Sequence, residues 1–274
     1  MTVENIEEEL NPKSSESPEE EVTFLSLIPD QLVLEKTLAL GFSRPTEVQA
    51  KAMPPANSGK DVVVQAQTGS GKTLAYAAPL LVKLNALSRD KEIRSTFGLI
   101  VAPTRELALQ VREVITSISP EAEPVALIGG VDIQTQIKQL KKDQRIVVGT
   151  PGRILDLIRQ RALKLNECRF FALDEADEML SMGFLEDVRA ILSRLPDKRQ
   201  GMFVSATITP RVEMLAHSFL SKPARITVGD YTSEGPPITH YFCEVAADLM
   251  AKPLLLCDLV ESFRPRSAII FCNT

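Results

Sequence analysis

DVVVQAQTGSGKTLAYAAPLLVKL, residues 61–84, sets the reading of everything around it. Asp61–Gln65 is a short β-branched run, the pattern of a strand covered on both faces. Leu74–Leu84 has the composition of a buried helix. Between them stands a glycine-rich turn, after a strand and before a helix, where a phosphate-binding loop belongs. Gly69 and Gly71 let successive backbone N–H groups point at anionic oxygens, at a helix start whose dipole favours them. Ala66, Gln67, Thr68, Gly69, Ser70, Gly71, Lys72 and Thr73 then form the cradle. Lys72 would reach the β- and γ-phosphates, and the Thr73 hydroxyl would hold Mg2+. Ala66 replaces the first glycine of the general pattern GxxxxGK[ST], and the plain alternative is a strand–helix turn that binds nothing.

Outward from this loop the same alternation repeats. Further strands are predicted at Leu99–Ala102, Pro124–Ile128, Arg145–Gly149, Phe170–Leu173, Gly201–Ser205 and Arg225–Val228. Helical patterns separate them, such as the stripe Leu107, Val111, Val114 and Ile115. Strand–helix alternation from about Phe24 to Val228 predicts an α/β fold, an open and mostly parallel sheet with helices on both faces. Residues 229–237, rich in Gly, Pro, Ser and Asp, read as a linker. Residues 238–274 offer a strand at Ile238–Val245, a helix near Asp248–Ser262 and a strand at Ser267–Cys272. One βαβ unit cannot cover its own sheet faces, so this last piece reads as the start of a second, incomplete domain and the chain as a fragment.

The chain has 274 residues, 44% hydrophobic and 24% charged, enough to bury a core. No stretch approaches the roughly 20 apolar residues of a membrane span, and the N-terminus lacks the basic and apolar regions of a secretory signal. The expectation is a soluble intracellular protein. Cys168, Cys243, Cys257 and Cys272 form no CxxC pair and read as buried free thiols. With only His217 and His240, far apart, a His/Cys metal site and Ser-His-Asp hydrolysis are both disfavoured. The net charge is −5, yet residues 1–22 carry eight glutamates and one lysine, net −7, leaving +2 for the rest. That acidic Ser/Pro/Glu-rich run reads as a disordered tail. A body so near neutral does not bind nucleic acid through a broad basic patch.

A metal-bound phosphate also needs a carboxylate. The strand Phe170–Leu173 ends in Asp174-Glu175-Ala176-Asp177, with Asp174 where a metal-holding aspartate stands and Glu175 placed to orient and deprotonate a water. Alone, the tetrad reads as caps for a helix beginning near Glu178; with Lys72 it points to ATP hydrolysis. Three more strand ends run into turns: Pro103-Thr104-Arg105, Gly129-Gly130 and Thr150-Pro151-Gly152-Arg153. Each alone reads as ordinary capping. Together, on the carboxyl edge of a parallel sheet, they predict a surface that grips sugar–phosphate backbone with N–H groups and two arginines, without reading bases.

With these residues in place, the chain resembles the N-terminal core of DEAD-box ATP-dependent RNA helicases, over roughly residues 24–274. GFSRPTEVQ at 41–49 resembles the family's Q motif, and Phe24 its upstream aromatic. AQTGSGKT, PTRELA, GG, TPGR, the DEAD tetrad and Ser205-Ala206-Thr207 follow in family order. The resemblance implies a RecA-like P-loop domain over residues 23–228, a truncated second RecA-like domain over 238–274, and a cytoplasmic RNA-dependent ATPase that unwinds short duplexes. It implies that ATP and Mg2+ are bound and that the partner is RNA, single-stranded or in short duplexes, held without sequence specificity. Gln49 would read the adenine edge, Phe24 would stack on the ring, and Arg44 and Thr46 would buttress them. Asp177 would bond toward Ser205 and Thr207, coupling the two ligand sites. Alone, Ser205-Ala206-Thr207 reads as a polar strand end. Ile269–Thr274 resembles the first motif of the second domain. The arginines expected to complete the ATP site come from that domain. Such arginines are worth ~10³–10⁵ in rate, so this chain alone is expected to bind nucleotide weakly and hydrolyse it poorly.

Overall fold

Six of the apolar runs become strands covered on both faces, and the last, at the sheet edge, keeps Arg225 and Thr227 exposed. In the computed structural model, which describes residues 22–88, 95–141, 144–229, 239, 241–245 and 251–272, the chain opens with helices α1 (Phe24–Leu27), α2 (Gln31–Ala39) and α3 (Glu47–Asn57). It continues through β1 (Val62–Ala66), α4 (Lys72–Ser88), β2 (Gly98–Val101), α5 (Arg105–Ile118), β3 (Val125–Leu127), α6 (Ile133–Leu140), β4 (Ile146–Gly149) and α7 (Pro151–Arg159). Then come β5 (Phe170–Leu173), α8 (Ala176–Ser181), α9 (Leu185–Leu192), β6 (Gln200–Ser205), α10 (Pro210–Phe219) and β7 (Ala224–Val228). The seven strands form one sheet in the order β3-β4-β2-β5-β6-β1-β7, with every pairing parallel.

Alternate residues of one strand serve opposite cores. Phe170 and Ala172 face a cluster built from α1 to α5, with Phe24, Met53, Leu80 and Val111. Phe171 and Leu173 face a second cluster built from α7 to α10, with Ile154, Met179, Ile191 and Leu215. This is why the strands read as unbroken apolar runs rather than as alternating ones. Because every strand points the same way, the loops after β1 to β6 all open on one edge of the sheet.

The chain divides into two compact units, one ending at Gly229 and the other running from Asp230. The second contains α11 (Ala251–Phe263), within two residues of the expected helix end, and none of the residues of α11 is buried. The predicted strands at 238–245 and 267–272 are not formed by their described residues. A strand needs a neighbour for its N–H and C=O groups, and none pairs with these residues among the described ones. The thiols follow the same division: Cys168 is buried, whereas Cys243, Cys257 and Cys272 are exposed, which corrects the expectation of four buried thiols. Burial pushes the Cys168 thiol up to about 12, so it stays protonated. Residues 1–21 of the expected acidic tail (1–22) and 230–237 of the expected linker (229–237) lie outside the described residues. Among those that are described, no helix is long and apolar enough to cross a membrane.

Candidate nucleotide site and nucleic-acid face

The turn after β1 closes on itself through Lys72. Its ammonium donates to the carbonyls of Ala66 at 2.7 Å and Gln67 at 2.9 Å, at 7% exposure. Gly69 and Gly71 have φ of +79° and +89°, where a side chain would be strained. Gly71 is needed for space as well: a Cβ there would come 2.5 Å from Gln49 Nε2.

That crowding shows what Gln49 does. Its Nε2 donates to the Gly71 carbonyl at 3.1 Å, and its Oε1 accepts from the Thr46 N–H at 2.9 Å. At 3% exposure, it ties the start of α3 to the phosphate loop. Phe24 differs from the expectation. Its ring is 1% exposed within the α1–α5 core and offers no open face to a base. On a four-residue helix the ring is the main apolar anchor, and burial gains more than exposure would. Arg44 and Thr46 are exposed at the start of α3.

The acidic tetrad faces the same loop. Asp174 is 2% exposed at the end of β5. Its Oδ1 accepts from the Glu175 N–H at 3.0 Å and its Oδ2 from the Tyr76 hydroxyl at 2.7 Å. Burial pushes its carboxyl up to about 6; Glu175 adds to the rise, and the Tyr76 bond and Lys72 oppose it. Burial likewise lowers Lys72, against the pull of Asp174, Glu175 and Asp177. Three carboxylates from a loop some hundred residues away thus act on one lysine. With no side-chain cap bond, Glu175 precedes α8 in left-handed backbone, φ 49° and ψ 54°. For a non-glycine residue this stores about 1–3 kcal/mol of strain, of the kind found at functional sites. The helix starts at Ala176, two residues before the expected Glu178.

Asp177 reaches the end of β6. Its Oδ2 accepts from the Thr207 N–H at 2.9 Å and the Thr207 hydroxyl at 2.8 Å. Its own N–H donates to Ser205 Oγ at 3.1 Å, and that hydroxyl donates to the Thr207 carbonyl. Burial works against its charge, but the Ser205 and Thr207 bonds outweigh it and hold the carboxyl below its ordinary value.

The other half of the edge is built differently. Thr104 caps α5 by accepting from the Leu107 N–H at 3.2 Å, next to a buried Pro103. Arg105 is exposed and lies against Gly130, φ +76°, where any Cβ would collide with the guanidinium. Gly129 has open space around its Cα. Thr150 stands at the N-terminal boundary of α7 without a side-chain cap bond, with Pro151 as the first helical residue and Gly152 unobstructed. Arg153 donates to the Val131 carbonyl at 2.9 Å, binding the loop after β3 to the helix after β4. The three turns thus stand side by side.

Sequence reasoning missed Tyr76. The signal was a hydroxyl inside a stripe of alanine and leucine, since a buried tyrosine O–H finds a partner. No group of three or more His, Cys, Asp or Glu side chains suited to a metal occurs among the described residues. Thr73 and Asp174 supply two hard oxygen donors, which fits a Mg2+ that keeps waters and phosphate oxygens for its remaining positions.

Residues 46–215 match the family described as DEAD/DEAH box helicase. The chain is 40% identical over 254 residues to the DEAD-box ATP-dependent RNA helicase CshA of Bacillus cereus, a match covering 92% of this chain and 47% of that protein. It is 39% identical over 237 residues to CshA of Bacillus subtilis, covering 86% and 47% respectively. The chain spans about half the length of these curated relatives. Its fold is similar to the crystal structure of a DEAD box protein from the hyperthermophile Methanococcus jannaschii, with a TM-score of 0.68 at 37% identity, over 75% of this chain and 55% of that one.

Proposed function

The chain belongs to the DEAD/DEAH box helicase family, and from that premise we propose that it supplies the ATP-binding half of an RNA-dependent ATPase that clamps RNA and separates short duplexes. The observation that carries this reading is the geometry of one sheet edge: the loop after β1 closed by Lys72 on the Ala66 and Gln67 carbonyls, and Asp174 at the end of β5 bonded to Tyr76 of the helix that follows that loop, on the edge where the backbone-gripping turns also open.

The roles follow from geometry. Gly69, Ser70 and Gly71 present N–H groups to the phosphates at the start of α4. Lys72 exchanges the Ala66 and Gln67 carbonyls for phosphate oxygens. Thr73 and Asp174 hold the divalent cation, which when bound offsets negative charge on the phosphates. Glu175 orients the attacking water and takes its proton. Gln49 keeps one amide hydrogen and one carbonyl lone pair beyond its two protein bonds, and these face the choice of base. Thr104, Arg105, Gly129, Gly130 and Thr150 to Arg153 hold RNA by its phosphates and sugars, so the grip is independent of sequence. Asp177, bonded to Ser205 and Thr207, carries the state of one site to the other.

The test is steady-state ATP hydrolysis by the protein as its gene encodes it, with no nucleic acid, with single-stranded RNA and with single-stranded DNA. Stimulation by RNA alone supports the reading. Equal rates in all three would leave a nucleotide site and remove the helicase.

A further inference from the structure

Tyr76 is fully buried on α4, and the chemistry proposed above gives it no part. Its hydroxyl donates to Asp174 Oδ2 across 98 positions of sequence. Thr73, assigned to the same cation, stands one helical turn earlier on α4. One of the two side chains assigned to the cation is therefore anchored by this tyrosine. We propose that Tyr76 is a positioning residue that holds the Asp174 carboxylate in place for the divalent cation. The proposal rests on the reading of this edge as a Mg2+–nucleotide site.

The argument is one of lone pairs and freedom. A carboxylate as enclosed as Asp174 requires donors, and it has two, the Glu175 N–H on Oδ1 and the phenol on Oδ2. Together they fix the carboxylate plane. Each oxygen keeps a further lone pair for a cation. Without the phenol, Oδ2 would lose its donor and the group would be free to turn about its last torsion. Tyr76 is also rigid: its ring is packed in the core and cannot follow a wandering carboxylate.

The experiment is Tyr76→Phe, which removes one oxygen and keeps the ring. Binding of a fluorescently labelled ADP is titrated with Mg2+ in parent and variant, and repeated in EDTA. The Mg2+ concentration at half-effect is expected to rise about tenfold, the size of one hydrogen bond to a charged acceptor. Affinity in EDTA stays at the parent value, and in an Asp174→Asn background the substitution adds nothing. A Mg2+ midpoint equal to the parent's, with only a lower melting temperature, would make Tyr76 a packing residue and overturn the proposal. Were Tyr76→Phe not to fold, the chain has two other tyrosines, Tyr231 and Tyr241. Changing those two to Phe and incorporating 3-fluorotyrosine leaves one ¹⁹F reporter at position 76. Its resonance is expected to move when Mg2+ is added to the nucleotide-loaded protein; an unmoved resonance overturns the proposal. A parent whose nucleotide binding ignores Mg2+ would sink the site reading itself, whereas a Mg2+-dependent parent matched by its variant removes Tyr76 alone.

Discussion

The two halves of the sheet's carboxyl edge are made of the same element, a strand running into a helix, yet they are wired in opposite ways. Around β1, β5 and β6 the functional side chains are tied down, with Lys72, Tyr76 and Asp174 enclosed: Lys72 bonds to the loop carbonyls, Tyr76 to Asp174, and Asp177 to an exposed Thr207. Around β2, β3 and β4 they are open, and what they offer is backbone N–H groups and two arginines. The enclosed half suits chemistry, which needs groups held in place with shifted proton affinities. The open half suits a long polyanion, which needs many weak contacts. Substitutions should separate the halves sharply.

The largest effect belongs to Glu175. Glu175→Gln is expected to slow ATP turnover by on the order of 10²–10⁴, the span of general-base catalysis, while ATP and RNA remain bound. Single-turnover hydrolysis by the protein as encoded measures it; an undiminished rate would remove Glu175 as base. Lys72→Ala comes next. Loss of a charged hydrogen-bonding group should weaken labelled-ADP binding by roughly 10–100-fold, and RNA binding without nucleotide should stay as in the parent.

Asp174→Asn tests enclosure through stability. The carboxyl ionises at about 6 in the folded chain and from 3.8 when free, so ionisation disfavours the folded state progressively as pH rises through that window. In nucleotide-free protein the Asn variant is therefore expected to be more stable at pH 8, by about 3 kcal/mol. The gain should shrink toward zero as pH falls below about 4. Thermal melts across pH read this directly, and equal melting at pH 8 would mean that Asp174 carries no burial cost.

The smallest effects lie on the open half. Arg105→Ala and Arg153→Ala are each expected to lower single-stranded RNA affinity by about threefold to tenfold and to reduce the salt slope by about 0.7. Labelled-ADP binding should not change. A shift in ADP affinity as large as that from Lys72→Ala would erase the contrast between the halves.

How much of this was legible in the sequence follows the same division. β5 falls on its expected residues, and the other six strands lie within one residue at each end; for all but the edge strand β7, burial on both faces writes itself as a local apolar run. The site residues were placed by spacing, since a loop between a strand and a helix is also local. What was hidden were partners. Nothing near Tyr76 announces Asp174, and nothing near Gln49 announces the Gly71 carbonyl, because pairing across the sheet is a property of topology rather than of pattern. Phe24 was read as open to a base because its neighbours do not reveal that α1 folds inward. The strands expected in 238–272 failed for the complementary reason: an apolar run states that a residue favours cover but cannot supply the neighbour.

The position of β1 has a consequence for assembly. The strand that carries the phosphate loop is flanked by β6 and β7, pairing Val62 with Met202 and with Ala224. It leaves the ribosome early but finds both neighbours only when the far end of the domain has been made. β2 and β4, closer in sequence, can align sooner. Closing the longer loops costs entropy before any contact repays it, which makes such parallel pairings slow. The waiting strand is apolar on both faces, a stretch that invites aggregation or chaperone capture during synthesis. The nucleotide pocket should therefore be the last part of the domain to mature, and a ligand that binds only the finished pocket draws the whole fold forward by mass action.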